Sequence, residues 1–328
     1  MNSRASSALA GCLLIVAAFV AAPNAGAAEY PTRPIKLVIP YAAGGPTDIF
    51  GRLLADYLGK DLKQTVVVEN KGGAQGAIGA EMVAHGEPDG YTLLGTSGSV
   101  IVLNPLLYKK LAYDPARELR MLALVTEVPV VLCVHPSVPA KTLAEFVAYA
   151  KQNPGKLNFG SAGPGGFTHL AAEMFKQMAG IEMTHVPYKG AHPALMDVMA
   201  GNIQLMFESV SLALPPVRSG MLRPLGISSA QRISDLPDVP TIAENGYPAY
   251  FVTVWNGVAA PAGLPEDVAR ILMDGLDRVM SDPAFRSALE KVGYTALRPR
   301  STSAIADYVD AERIRWSAVI KAQNISLD

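Results

Sequence analysis

Four times in this chain a short apolar run gives way to a glycine-rich turn and then to apolar residues at helical spacing. The joints fall at residues 40–48, 69–79, 160–169 and 187–193. Before the first, Ile35-Lys36-Leu37-Val38-Ile39 is short, β-branched and ended by Pro40, the pattern of a buried strand. After it, Ile49, Phe50, Leu53, Leu54, Tyr57 and Leu58 recur on one helical face. Further strands are expected at 65–69, 91–96, 128–134, 157–160, 183–186, 203–207, 223–228 and 252–260. Strand and helix in alternation with short joints predict parallel sheet and an α/β class. Thr142-Leu143-Ala144-Glu145 and Thr241-Ile242-Ala243-Glu244 read as capping boxes opening helices. Pro265 and Pro283 read as first-turn prolines.

Two long apolar strands, near 128–134 and 252–260, bracket a self-contained α/β block. A chain that leaves one domain and returns makes two crossings, which are natural hinges. The expected organisation is therefore a discontinuous first lobe, 29–128 plus 255–328, and a second lobe at 129–254, each doubly wound and joined by two hinge strands.

The N-terminus bounds the compartment. Arg4 in a short polar stretch, an apolar run from Leu9 to Ala22, then Pro23-Asn24-Ala25-Gly26-Ala27-Ala28 follow the order of a signal peptide over residues 1–28. Cleavage after Ala27 or Ala28 and delivery to the periplasm are expected. The run is shorter than the roughly 18 to 20 residues a spanning helix needs. Leu9-Ala10-Gly11-Cys12 spells a lipoprotein box, but it precedes the apolar core that it should follow, so Cys12 reads as an ordinary leader residue. The chain carries 28 basic and 29 acidic residues, and only Arg4 belongs to the leader. With no basic stripe, nucleic acid and anionic membrane surfaces are poor partners. Cys133 would be the sole cysteine left, so no disulfide frames the fold.

In a parallel α/β sheet such joints gather at the carboxyl ends of the strands, where ligands bind. Each following helix offers unpaired N–H groups and the positive end of its dipole to an anion. One glycine turn by itself does no more than permit a tight bend. Two per lobe, on lobes joined by hinges, point to a shared cleft. Other chemistries lack their residues. Gly73-Ala74-Gln75-Gly76-Ala77-Ile78-Gly79 is not the dinucleotide fingerprint, and no P-loop occurs. Neither Ser97 nor Ser161 sits in a hydrolase elbow. His85, His135, His169, His185 and His192 lack metal-ligand spacing, and His169 and His185 read as structural. Asp48 most simply charges the first turn of its helix. No catalytic residue, metal or cofactor is therefore expected.

Several segments then carry a resemblance. They are Tyr30-Pro31-Thr32-Arg33-Pro34-Ile35, Pro40-Tyr41-Ala42-Ala43-Gly44-Gly45-Pro46-Thr47-Asp48, Val68-Glu69-Asn70-Lys71-Gly72-Gly73-Ala74 and Pro88-Asp89-Gly90-Tyr91-Thr92-Leu93-Leu94. His135-Pro136-Ser137-Val138-Pro139-Ala140-Lys141, His185-Val186-Pro187-Tyr188-Lys189-Gly190 and Leu236-Pro237-Asp238-Val239-Pro240-Thr241 follow in order. Together they resemble the Bug family, the extracytoplasmic receptors of tripartite tricarboxylate transporters, across essentially the whole chain after residue 28.

The resemblance implies a type II periplasmic-binding-protein fold closing on a small organic carboxylate, and not an enzyme. Carried over, it sets Tyr41, Ala43, Gly44, Gly45, Thr47 and Asp48 on one wall, with Thr96, Ser97 and Asn104 lining the same lobe. Ser161, Gly163, Thr168 and His169 stand opposite, and Tyr188 and Glu208 complete the candidate set. It implies a monomer that delivers its ligand to a two-subunit membrane permease, with a sensor kinase as the alternative partner. The family's ligands include dicarboxylic amino acids, tricarboxylates, aromatic carboxylates, and pyridine carboxylates or amides. Departures from the family pattern fall at Ala191-His192, Glu208-Ser209 and Trp255-Asn256-Gly257. They put His192, Glu208 and Asn256 as candidates for the ligand's distal end. The joints at 40–48 and 160–169 hold no Arg or Lys, so an anion there would be met mainly by backbone N–H groups and hydroxyls.

Overall fold

The computed structural model describes residues 30–322 and 325–327. The leader, with Cys12, Ala27 and Ala28, lies outside them. The order of elements is β1 (Ile35–Ile39), α1 (Pro46–Asp61), β2 (Val66–Asn70), α2 (Ala77–Ala84), β3 (Thr92–Ser97), α3 (Asn104–Leu107), α4 (Pro115–Glu118) and β4 (Leu119–Val134). Next come α5 (Leu143–Gln152), β5 (Asn158–Ser161), α6 (Phe167–Ala179), β6 (Thr184–Pro187), α7 (Ala191–Met199), β7 (Leu205–Ser209), α8 (Val210–Arg218) and β8 (Arg223–Ile227). β9 (Thr253–Pro261), α9 (Glu266–Ser281), α10 (Pro283–Glu290), β10 (Thr295–Ala296) and α11 (Thr302–Ala322) complete the chain.

The strands lie in the order β2-β1-β3-β9-β4-β7-β5-β6, with β10 and β8 also paired to β4. β2, β1 and β3 run parallel, as do β6, β5 and β7. The two parallel groups are connected through antiparallel β9 and β4. β4 is the strand common to both halves. Over 119–129 it pairs with β9, and from Val130 to Val134 it pairs with β7. Its register against β9 slips twice, between Met121 and Ala123 and between Leu124 and Thr126. At the change of partner, the Ser228 hydroxyl donates to Val252 O and accepts from Val130 N, tying the two crossing segments.

β1 is buried except for Lys36, whose ammonium reaches Glu69 on β2 at 2.7 Å. Leu37, Val38 and Ile39 are fully covered, as a strand flanked on both faces requires. α9 turns Leu272, Leu276 and Val279 inward and places Arg278 on Asp61 of α1 at 2.7 Å. α11 buries Trp316, which meets Phe167 of α6 edge-on at 5.3 Å between ring centres.

Three expectations change. β4 begins at Leu119, well before 128, because backbone pairing to β9 carries it through Arg120, Thr126 and Glu127. Thr241 and Glu244 exchange both bonds of a capping box, at 3.0 and 2.8 Å, yet only turns follow. Gly246, at φ +95°, and Pro248 end any helix there. At Thr142 the hydroxyl caps Glu145 as expected, but the Glu145 carboxylate takes the N–H of Lys141 rather than that of Thr142.

Candidate functional site

The carboxyl ends of β1, β2, β3 and β5 meet. Asn70, closing β2, donates from Nδ2 to Tyr41 O at 3.1 Å and to Asp48 Oδ1 at 2.9 Å. The Tyr41 hydroxyl bonds Ser97 Oγ at 2.8 Å, which joins the first loop to the end of β3. Asp48 is 3% exposed and fully committed. Besides Asn70 it accepts from Gly44 N and from Arg52 Nε, each at 2.9 Å. Although burial opposes it, these bonds hold its carboxyl below the ordinary range. Asp48 is thus the brace of the first loop, with its charge answered by Arg52. Ala43 and Gly44 are exposed at the loop tip, Gly45 is half-buried, and Thr47 is buried on the first turn of α1. Gly44 needs its glycine for φ +81°, whereas Gly45 has ordinary φ and its nearest neighbour to an added Cβ would be Ala42 O at 3.5 Å.

Four consecutive residues, Gly73, Ala74, Gln75 and Gly76, hold positive φ. Ala74 and Gln75 do so without being glycine, a strained choice that surrounding contacts must impose. Asn104, 1% exposed, donates to Gln75 O at 3.2 Å, and Gln75 Nε2 donates to Pro164 O at 3.2 Å in the loop after β5. A Cβ on Gly163 would lie 2.6 Å from Gln75 Nε2, and one on Gly98 would lie 2.7 Å from Phe167 Cζ. Thr96 is wholly buried, with its hydroxyl turned back on Ser97 O at 3.4 Å.

Across from the first loop, Ala162 N donates to Thr168 Oγ1 at 3.1 Å and Gly165 N to His169 Nδ1 at 2.9 Å. Ser161 Oγ lies 2.6 Å from His185 Nε2. His185 stacks on His169 with ring centres 3.8 Å apart, and His169 approaches Glu173 at 3.7 Å. Tyr188 N bonds Ser161 O at 3.1 Å, but the Tyr188 hydroxyl is turned onto Asp197 of α7 at 2.6 Å. Glu208 is 1% exposed at the end of β7, His192 is exposed, and Asn256 is buried in β9 with Nδ2 on Thr126 Oγ1 at 3.3 Å. Lys189 is exposed, and Lys71 lies 2.8 Å from Glu69.

The helix starts at these loops share a glycine cap. α1, α2, α6 and α7 begin after Gly45, Gly76, Gly166 and Gly190, and none has a side-chain cap. α4, α5 and α10, which start elsewhere, are capped by Asp114, Thr142 and Asp282. α3, α8 and α9 also lack a side-chain cap, so what marks the four joints is a glycine at the cap, which leaves first-turn N–H groups and a dipole end open to close approach. Sequence reasoning missed Gln75, whose strained turn has no signature. It also missed the Ser161–His185 contact, whose members come from different strands.

Burial lowers the His185 pKa to about 4, and the charge of His169 adds to this. Burial raises that of Glu208 to about 7, against its bonds from Ser209. The consequences for stability have opposite signs. The unfolded chain binds a proton at His185 below its ordinary 6.5 that the native state withholds, so stability rises with pH from about 4 to 6.5. The native state keeps the Glu208 proton that the unfolded chain releases near 4.5, so stability falls with pH from 4.5 to about 7. Relative to wild type, the slope of the urea midpoint with pH across that range should become more positive in Glu208→Gln and more negative in His185→Gln. The same slope in both variants would contradict the assignment.

Residues 50–325 match the model of the family described as "Tripartite tricarboxylate transporter family receptor". The solved periplasmic binding protein BugD is 34% identical, with TM-score 0.84, over 90% of this chain and 99% of its own. A Rhodopseudomonas palustris protein solved with adipate is 34% identical, with TM-score 0.86, over 90% and 99%. MatC from the same organism, with bound malate, is 33% identical, with TM-score 0.82, over 89% and 100%. Two α/β lobes with facing strand-end loops, in this company, make the molecule a solute-binding receptor of the periplasmic-binding-protein fold rather than an enzyme. The chain belongs to the tripartite tricarboxylate transporter receptor family, with Bug-type proteins as its relatives. No helix among the described residues is long and apolar enough to cross a membrane.

Proposed function

We propose that this receptor captures a small organic carboxylate between a lobe of residues 29–128 plus 255–328 and a lobe of residues 129–254, and delivers it as a monomer to a two-subunit membrane permease. The observation that supports the carboxylate is the pair of glycine-capped starts of α1 and α6, on loops tied together through Asn70 and Gln75. An anion there accepts from the first turns of α1 and α6. Thr168, whose oxygen already accepts from Ala162 N, keeps its own proton to donate. The adipate and malate bound by the two R. palustris relatives support the same class.

Mass spectrometry of ligand released from the purified protein, followed by a thermal-shift screen of carboxylates, tests the reading. A ligand at about a hundred times its Kd adds about 2.7 kcal/mol to folding and raises the melting temperature by several degrees. It should come back chemically unchanged after long incubation, and steady turnover would sink the proposal. Export should also remove the leader through Ala27 or Ala28. N-terminal sequencing of periplasmic protein checks this, and an intact Met1 or an acylated Cys12 would overturn it.

A further inference from the structure

Among the described residues, Oε2 of Glu208 is the only fully buried carboxylate oxygen without a hydrogen-bond partner. The other buried acids are answered: Asp48 by Arg52, Gly44 and Asn70, Glu173 by Lys176, and Glu312 by Arg315 and Trp316. On Glu208 only Oε1 is used, accepting from Ser209 N at 2.7 Å and Ser209 Oγ at 2.8 Å. No cation of the protein bears on it. A buried acid oxygen left this way costs free energy that another donor would recover.

Its position says what that donor is. Gly160 of β5 pairs with Met206 of β7, so Glu208 lies two residues further toward the carboxyl edge, level with the loop opened by Ser161. The Tyr294 hydroxyl donates to Pro46 O at 2.6 Å at the mouth of α1. Tyr294 feels both Glu208 and Asp48, and Cys133 on β4 feels Glu208 as well. Glu208 therefore lies at the carboxyl edge of its strand, with Tyr294, Cys133, Ser209 and Ser211 near it and no positive group among them.

We infer that Glu208 is a specificity-determining residue that selects acids carrying a hydrogen-bond donor, an amino or hydroxyl group, at the end remote from the anchored carboxylate, and rejects a second ionised carboxylate there. This rests on the carboxylate-receptor reading. A donor at that end fills the vacant lone pairs of Oε2, whereas a second carboxylate brings like charge to an unscreened site.

The test is calorimetric titration with unbranched acids of three to six carbons in four forms: plain, ω-hydroxy, ω-amino and dicarboxylate. At about pH 8.5, where Glu208 is ionised, wild-type protein should bind the donor-bearing form of its best length at least about tenfold more tightly than the matching dicarboxylate. In Glu208→Gln that ratio should collapse to within about threefold. Independently of any variant, the wild-type ratio should shrink at about pH 5.5, where Glu208 is protonated and can donate to a second carboxylate. A wild-type protein that binds these acids but prefers the dicarboxylate, or a ratio unmoved by both the substitution and the pH, overturns the role of Glu208 alone. A wild-type protein that binds none of them also overturns the role of Glu208, whereas the carboxylate reading itself fails only if the released ligand and the wider thermal-shift screen yield no carboxylate.

Discussion

Gly163→Val is expected to weaken ligand binding by about a hundredfold or more, close to 2.7 kcal/mol, in calorimetric titration. Gly163 holds φ +134°, which a β-branched residue resists. Its new Cβ would start 2.6 Å from Gln75 Nε2 and 3.4 Å from Tyr188 O. Valine thus pushes the loop after β5 away from Gln75 and breaks the Gln75–Pro164 bond that draws the two sets of loops together. Gly45→Val is the cleaner companion, because its backbone is unstrained and nothing lies nearer its Cβ than 3.5 Å. Loss of affinity there reports blocked approach to the α1 mouth and little else. Lys189→Ala should change affinity by less than about threefold, since the exposed ammonium is solvated. If Lys189→Ala abolishes binding while both valine variants keep it, the anion site is a charge pair elsewhere.

The largest loss of stability is expected at α11. Glu312 is 6% exposed, ion-paired to Arg315, and accepts from Trp316 Nε1 at 3.1 Å. The Arg315 guanidinium also lies over Trp316 and Phe251, at 5.2 and 5.8 Å. Glu312→Ala strands the guanidinium and the indole N–H together. Removing one partner of a buried pair costs about 3–5 kcal/mol, read as a lowered urea midpoint. Asp310→Ala, on the exposed side of the same helix, should stay within about 0.5 kcal/mol. Equal midpoints for the two variants would remove Glu312 from the core of the fold.

What could be read in the sequence followed from local physics. β1 and α1 were legible because Ile35–Ile39 is β-branched and the residues after Pro46 keep a helical period. The glycine joints marked the right strand ends for the same reason, since positive φ at Gly44, Gly73, Gly163 and Gly190 leaves a mark in composition. Features assembled from distant segments left none. β4 runs on through Arg120 and Glu127 because β9 pairs with it, which a local pattern cannot reveal. The π-helical turn at Ser99–Leu103 reads as strand-like residues. Asp48 carried an ambiguous signal: its place in the first turn of α1 was legible, but its three donors come from a loop, a helix and a strand.

The place of β9 between β3 and β4 also dictates an order of events in folding. β9 is synthesised after the whole of the block from α5 to β8, yet it is the strand that joins β3 to β4. A chain emerging amino end first holds β1, β2 and β3 with an unfinished edge until residue 253 has appeared, while β5 to β7 already have all their parallel partners. The inserted half can therefore condense early and the first half only late, after a long loop has been closed. During that interval β3 presents an open ladder, an edge to which a second chain can add. Slow release of the segment from residue 253 onward should favour aggregation through β3, and fast release should favour the native molecule.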